Sequence, residues 1–350
     1  MKEGLILAGL VFLLAYWLTG YLCSPAAWLR LLDQPNERSL HLTPTPRTGG
    51  LSILGSLLVG VVVYHLVLLH GKDSVTNLWF IGAAAVIGVV SFWDDRANLP
   101  PGVRFGVHCL TAIATVLGTG LAITEISFPL LGSYSLGLIG VPLAILFLIW
   151  MTNLYNFMDG MDGFAGGMTV LGFGFLGYMA LKGGQPGLAV LSFLIVGATG
   201  GFLIYNMPPA RIFMGDVGSA PLGFLAGVLS LKGVQEQAVD FWVPLLLFSP
   251  FIVDATTTLL QRLFRGEKVW QAHREHYYQR LVLSGWSHRK TVVAEYVLMC
   301  ASAGSALIYS QADERVRFVL LAGWALLYIV LARGVSWIEL RQGRGLRGEI

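Results

Sequence analysis

LGLIGVPLAILFLIWMTNLYNFMDGMDGFAGGMTVLGFGFLGYMALK, residues 136–182, decides how this chain folds. Two apolar runs, near 136–152 and 167–182, flank the polar segment NLYNFMDGMDG (153–163), which carries Asp159 and Asp162. A hydrocarbon core about 30 Å thick takes roughly 20 helical residues, with a range of about 17–25. Lipid admits only helices or closed barrels, because every backbone polar group must be satisfied internally. Both runs are continuous rather than alternating, so they read as two membrane helices joined at one surface.

The composition generalises this reading. The chain has 350 residues, 55% hydrophobic and 12% charged, with a mean hydropathy of +0.69. A soluble domain carries about 25% charged residues. The net charge of +3 leaves no nucleic-acid footprint. Long basic runs, low-complexity tracts and Ser/Pro linkers are lacking, so residues 1–350 read as a single membrane domain. Cys23, Cys109 and Cys300 have neither metal-ligand nor redox spacing. The stretch Leu5–Leu22 is long for a signal-peptide core and reads as a retained first span.

Eleven apolar runs of membrane length are expected, near 4–23, 51–70, 78–93, 105–123, 136–152, 167–182, 187–204, 216–231, 241–260, 291–310 and 316–334. The fold is therefore expected to be an all-α polytopic membrane protein with about 11 transmembrane helices. Only KGGQP separates the sixth run from the seventh, and its Gly183, Gly184 and Pro186 favour a turn. Of the 23 Lys and Arg residues, 17 fall in the odd-numbered loops and the C-terminal tail, and 6 in the N-terminus and even loops. Positive residues stay inside. That places the N-terminus in the periplasm and the C-terminus in the cytoplasm.

The unusual polar residues follow the same asymmetry. DQPNERSLHLTPTPRTGG (33–50), FWDDRANLPPGVRF (92–105), NLYNFMDGMDG, NMPPARIFMGDVGS (206–219) and FRGEKVWQAHREHYYQRL (264–281) all lie in odd loops. The expected active loops are near 24–50, 94–104, 153–166, 205–216 and 261–290. Asp94, Asp95, Asp159, Asp162 and Asp216 thus gather at one membrane surface, where a carboxylate is costly and marks function. Such a cluster calls for a cation, and oxygen donors suit Mg²⁺, with Mn²⁺ as the alternative.

Each motif also has a plain structural reading. Asp94-Asp95 could be helix-end charges, Asp159 and Asp162 a capping pair, Asp216 an N-cap, and His273 and His276 part of a solvated loop. If the segment is helical, the i,i+3 spacing puts Asp159 and Asp162 on one face. Gly160, Gly163, Gly166 and Gly167 would let a ligand approach the backbone. His273 and His276, with Arg274 and Arg280 nearby, would suit a diphosphate. Asp254 lies inside the ninth run and reads as functional or as a structural partner of another helix, with no chemistry assigned.

Carboxylates, a divalent metal and basic groups on a membrane scaffold suit phosphoryl chemistry on a lipid. Taken in order and spacing, the five motifs resemble the polyprenyl-phosphate N-acetylhexosamine-1-phosphate transferases. That family includes the enzymes initiating O-antigen and enterobacterial common antigen, and phospho-N-acetylmuramoyl-pentapeptide transferase. The resemblance runs from about residue 33 to 281. It implies a multi-pass enzyme of the bacterial inner membrane with a cytoplasmic active site. That enzyme would move an N-acetylhexosamine-1-phosphate (GlcNAc, FucNAc or QuiNAc type) from its UDP donor to undecaprenyl phosphate, releasing UMP.

By the same resemblance, Asp94 and Asp95 are the family's aspartate pair, one of them a base for the lipid phosphate. Arg104 is a basic position of that motif. Asn156, Asp159, Gly160 and Asp162 lie near the uridine, and Asn206 and Phe213 are further nucleotide contacts. Asp216 is the magnesium ligand. His273, Arg274 and His276 lie near the diphosphate or sugar, with His273 and His276 counted among the catalytic groups. Direct attack by the lipid phosphate is the preferred course, and a covalent aspartyl intermediate the alternative.

Two departures bear on the branch. Many relatives have a third acid after the pair, where this chain has Asn98. The last motif, HREHYYQRL, lacks the consecutive histidines of the peptidoglycan branch and is closer to the O-antigen form. A homodimer is compatible with the apolar surface. The rival class is a transporter or channel using Asp254. Transporters place polar groups near the bilayer midplane in repeated halves, and no internal repeat is visible.

Overall fold

In a computed structural model, every residue is described except Arg30, 36–42, 69–72, Asn98, 270–272 and 342–350, along with the side chains of 68 and 73–75. Asn98 and part of the first-loop motif therefore lie outside the described residues.

The chain is helical nearly throughout. Its long helices are α1 (Lys2–Cys23), α2 (Gly49–Val63, continued by a π-turn over Tyr64–Leu68), α3 (Asp73–Ala97), α4 (Pro101–Thr119), α5 (Gly140–Phe157), α6 (Phe164–Lys182), α7 (Pro186–Asn206) and α8 (Asp216–Gln235). The ninth apolar run forms two helices, α9 (Trp242–Leu247) and α10 (Ser249–Phe264). The short α11 (Tyr277–Leu283) precedes α12 (His288–Gln311) and α13 (Glu314–Arg341).

Among the described residues, ten helices are long and apolar enough to cross a membrane. The difference from eleven lies in the ninth run. Phe248 leaves helical geometry there (φ −97°, ψ 8°), and Pro250 stands in the first turn of α10. A proline has no N–H to extend the preceding helix and clashes with it. The run therefore breaks, and neither half reaches spanning length.

Helix α8 is the axis of the bundle. It is apolar on every side, and almost all its residues from Val217 to Gly233 are buried. A helix without a polar face must be surrounded. Small residues let its neighbours close in. A Cβ on Gly223 would stand 2.3 Å from the Met151 carbonyl oxygen of α5, and one on Gly50 of α2 would stand 2.2 Å from the Gly218 nitrogen. Helices α12 and α13 are peripheral, and α13 buries only Trp324, Val335 and Glu339.

Two small antiparallel pairs complete the fold. β1 (Leu32–Asp33) pairs with β2 (Thr45–Pro46), and β3 (Glu125–Phe128) with β4 (Gly132–Ser135). The second hairpin is tied to α9 through Trp242 Nε1–H, which donates to the Ser127 carbonyl at 2.7 Å. It lies beyond the C-terminal end of α4, opposite the end that carries Arg104.

Candidate active site

The N-terminal ends of α4 and α8 meet the C-terminal end of α3. Asp94 and Asp95 lie in the last turn of α3, not in the loop beyond it. A carboxylate there opposes the helix macrodipole and needs a cation. Arg104, in the first turns of α4, supplies one. Its Nη1 donates to Asp94 Oδ2 at 2.8 Å and to Asp216 Oδ2 at 3.0 Å. One guanidinium thus bridges two acids 122 positions apart in the numbering, which puts them on the same side of the membrane. Asp216 is the first residue of α8, and the cap position belongs to Gly215. The Asp216 side chain is 30% exposed, which leaves it open to a ligand.

Arg47 supplies the second cation, and the sequence marked it only as positive charge. Its Nη2 donates to the Asp95 carbonyl, and its Nη1 stands 3.6 Å from Asp95 Oδ1 and 3.8 Å from Asp33 Oδ1. Backbone pairing sets this position. Phe213 N–H donates to the Pro46 carbonyl at 2.7 Å, Gly49 N–H to that of Phe213 at 3.0 Å, and Gly50 N–H to that of Met214 at 2.8 Å. Gly215 has φ +69°, and a Cβ there would stand 2.4 Å from the Arg47 carbonyl oxygen. Conformation and crowding both require glycine.

Asp159 and Asp162 sit in the turn between α5 and α6, so helical i,i+3 geometry does not apply to them. Burial, followed by the charges of Asp216 and Asp95, pushes the Asp159 carboxyl well above the usual range, opposed by the Gly215 amide. Asp162 Oδ2 accepts from the Ala210 N–H at 3.0 Å and stands 3.7 Å from His288 Nδ1. It therefore joins three loops. Asn206 is committed at both ends. Its Oδ1 accepts from Gly163 N–H and its Nδ2 donates to the Ile212 carbonyl, both at 2.9 Å. Asn156 Nδ2 donates to Ser219 Oγ at 3.3 Å, and Phe213 is half-buried on the paired strand of backbone.

The glycines of this turn serve the protein rather than leaving room for a ligand. A Cβ on Gly160 would stand 2.2 Å from Tyr278 Oη, one on Gly166 2.9 Å from the Leu203 side chain, and one on Gly167 2.1 Å from the Tyr296 ring. Gly163 has φ +74° at the cap of α6. Gly160→Ala is accordingly expected to cost about 1–3 kcal/mol by overpacking. Tyr278→Phe should restore most of the loss, read as recovery of melting temperature in the double variant. No recovery would mean that Tyr278 is not what fills the space.

The histidine motif is held from beneath by Asp254. Its Oδ1 accepts from His276 Nδ1 at 3.0 Å, Tyr277 N–H at 3.1 Å and the Thr258 hydroxyl at 3.2 Å, and its Oδ2 accepts from Tyr278 N–H at 3.2 Å. The deepest acid of the ninth run therefore caps α11 and orients the His276 imidazole. The His273 ring lies 4.8 Å from that of His276, and Arg274 is exposed beside them.

His273 Nδ1 accepts from the Glu275 N–H at 3.3 Å, which leaves its proton on Nε2. Burial, then the neighbouring His276 and Arg262 charges, push its pKa down from 6.5 to about 3. It is a neutral donor at neutral pH. Its folded pKa is lowered, so the unfolded chain binds more protons below pH 6.5, and His273 costs stability as pH falls from 6.5 toward 3. His273→Gln should flatten that part of the stability curve, measured by denaturant midpoints between pH 4 and 7. An unchanged slope would mean that His273 is not held neutral.

Arg280 does not join a diphosphate cluster. Its Nε donates to Glu339 Oε1 at 2.8 Å and its Nη2 to Ser336 Oγ at 3.0 Å, which ties α11 to α13.

Among the described residues, no three His, Cys, Asp or Glu side chains form a ready cage for a metal ion. Mg²⁺ rarely needs one, since one or two carboxylates and substrate phosphates usually suffice. Asp94, Asp95 and Asp216 outnumber Arg47 and Arg104, and Asp95 Oδ2 is buried with no hydrogen-bond partner. This oxygen-rich set has the donor chemistry that a divalent cation would need.

Comparison with known proteins gives a consistent family. Residues 77–234 match the model of glycosyl transferase family 4. The chain is 33% identical to a probable undecaprenyl-phosphate N-acetylglucosaminyl 1-phosphate transferase of Bacillus subtilis, covering 80% of this chain and 78% of that one. It is 29% identical to a phospho-N-acetylmuramoyl-pentapeptide-transferase of Chloroflexus aggregans, over 85% and 87%. It is 28% identical to a decaprenyl-phosphate N-acetylglucosaminephosphotransferase of Mycobacterium tuberculosis, over 93% and 89%.

Proposed function

Because the chain belongs to glycosyl transferase family 4, we propose that it transfers an N-acetylhexosamine-1-phosphate from a UDP-sugar to undecaprenyl phosphate. The reaction takes place at the cytoplasmic face of the bacterial inner membrane and initiates O-antigen or related cell-envelope polysaccharide synthesis. An oxygen of the lipid phosphate attacks the sugar-bearing phosphorus of the donor. The bond from that phosphorus to the bridging oxygen breaks, and UMP leaves with the electron pair.

The observation that carries this reading is the Arg104 bridge between Asp94 and Asp216. It brings the third-loop and seventh-loop motifs into one centre at a helix N-terminus, a favourable place for phosphate. Arg47 and Arg104 screen the approach of two anions. Asp95 is the base that takes a proton from the lipid phosphate in this reading, supported by its Oδ2 having no hydrogen-bond partner. Asp159, whose carboxyl pKa burial raises, lies against the Gly215 amide beside the donor site, and neutral His273 offers its Nε2–H. His276 is fixed by Asp254 and orients the sugar side. Mg²⁺, held through Asp216, would offset donor diphosphate charge and steady the leaving phosphate.

Purified protein should release UMP from a UDP-N-acetylhexosamine only when polyprenyl phosphate is added, and a panel of UDP-GlcNAc, UDP-FucNAc and UDP-QuiNAc should identify the sugar. UMP release independent of the lipid, or none with any donor, would reject the assignment.

A further inference from the structure

The outer side of α2 and α3 is not closed. An apolar groove of about 520 Å³ runs between them, walled by Leu51, Leu54, Leu58, Val89 and Trp93 and floored by Val217. It is open because α2 carries Gly55 there, with nothing within 4 Å of where its Cβ would stand. The groove ends at Arg96, in the last turn of α3. The Arg96 guanidinium lies 4.9 Å over the Phe92 ring and is exposed, and among the described residues no carboxylate pairs with it. Trp93, one turn earlier, is 64% exposed, as befits an anchor at the lipid–water boundary.

Position on the helix separates this feature from the acid cluster. Trp93 and Arg96 share the outward face at i,i+3. Asp94 and Asp95 turn inward onto Arg104 and Arg47. A phosphate held by Arg96 therefore stands outside the reaction centre, with the α3 backbone between them.

We propose that this groove binds an anionic phospholipid of the surrounding bilayer, with an acyl chain between α2 and α3 and its phosphate on Arg96. The lipid is not consumed. It braces the last turn of α3, which carries Asp94 and Asp95. An unpaired interfacial arginine attracts anionic headgroups, and a long apolar slot beside it selects a chain-bearing ligand over a free phosphate.

The test uses the whole protein in phosphatidylcholine vesicles containing a trace of photoactivatable phosphatidylglycerol, with the labelled residues mapped. Labelling is expected over residues 51–58 and 85–96. Arg96→Gln should reduce it about fivefold, the factor one interfacial cation contributes to anionic-lipid attraction. Gly55→Phe, at a position where a Cβ meets nothing within 4 Å, puts a ring toward the slot and should reduce it similarly, while labelling on α13 stays unchanged. Undiminished labelling in both variants overturns the proposal. So does equal labelling by a phosphatidylcholine probe, which would show no preference for an anion. Displacement by equimolar polyprenyl phosphate also overturns it, since the groove would then hold the reaction's own acceptor. Binding is read directly, so the result does not depend on which reaction the protein catalyses.

Discussion

Asp216→Ala is expected to reduce UMP release by about 1,000-fold or more at ordinary Mg²⁺ while the protein still inserts and folds. The size follows from the charge that the residue handles. A metal that offsets phosphate charge contributes several kcal/mol to the transition state, and each 1.36 kcal/mol is about tenfold in rate. The cost to folding is small by comparison. Asp216 is the first residue of α8 and 30% exposed, and an acid in a first helical turn is worth about 0.3–1 kcal/mol. Its partner Arg104 keeps Asp94 at 2.8 Å, so the substitution leaves no cation stranded. Activity and stability should therefore separate cleanly. Asp216→Glu keeps a carboxylate and should retain measurable turnover with a raised Mg²⁺ requirement. An alanine variant with full activity and the normal Mg²⁺ dependence would remove Asp216 from the metal site.

The same cluster shows how far spacing alone carries. Asp94, Asp95 and Asp216 were legible because carboxylates beside apolar runs are costly, and the loop parity placed them on one side. Their shared partner was legible only as a basic residue of the motif, since nothing in the sequence tells Arg104 to reach across to α8. Arg47 was hidden for a related reason. Its place is set by the pairing of Pro46, Gly49 and Gly50 with Phe213 and Met214, a contact between segments more than 160 positions apart. The glycines around Asp159 were misread in purpose. A Gly-rich turn signals close approach but does not say of what, and here Tyr278, Leu203 and Tyr296 occupy the space. Arg280 was misread because its neutralising partner, Glu339, comes from the last helix. The break in the ninth run was written locally, in Ser249-Pro250, and hydropathy averaging concealed it.

Asp254 gives the second large effect, and here the loss should appear in both turnover and stability. The acid faces four donors: the His276 ring, the Tyr277 and Tyr278 amides, and the Thr258 hydroxyl. Alanine removes all four acceptor positions from a buried place. An unsatisfied buried donor costs about 1–3 kcal/mol, and losing a helix cap costs about 0.5–2 kcal/mol. The melting temperature should fall by several degrees. Turnover should fall about 100-fold, the order expected when a catalytic group is misplaced by about 1 Å. Asparagine discriminates positioning from simple packing. It keeps one oxygen, which can hold the Oδ1 place against His276 and Tyr277, but its amide then faces the Tyr278 N–H. Asp254→Asn should therefore remain unstable yet recover turnover toward wild type, with the donor KM changed little in either variant. If the alanine variant keeps its turnover, His276 is not oriented from beneath. If the asparagine variant is as inactive as alanine, the carboxylate charge itself is needed, and Asp254 belongs to the chemistry and not only to its support.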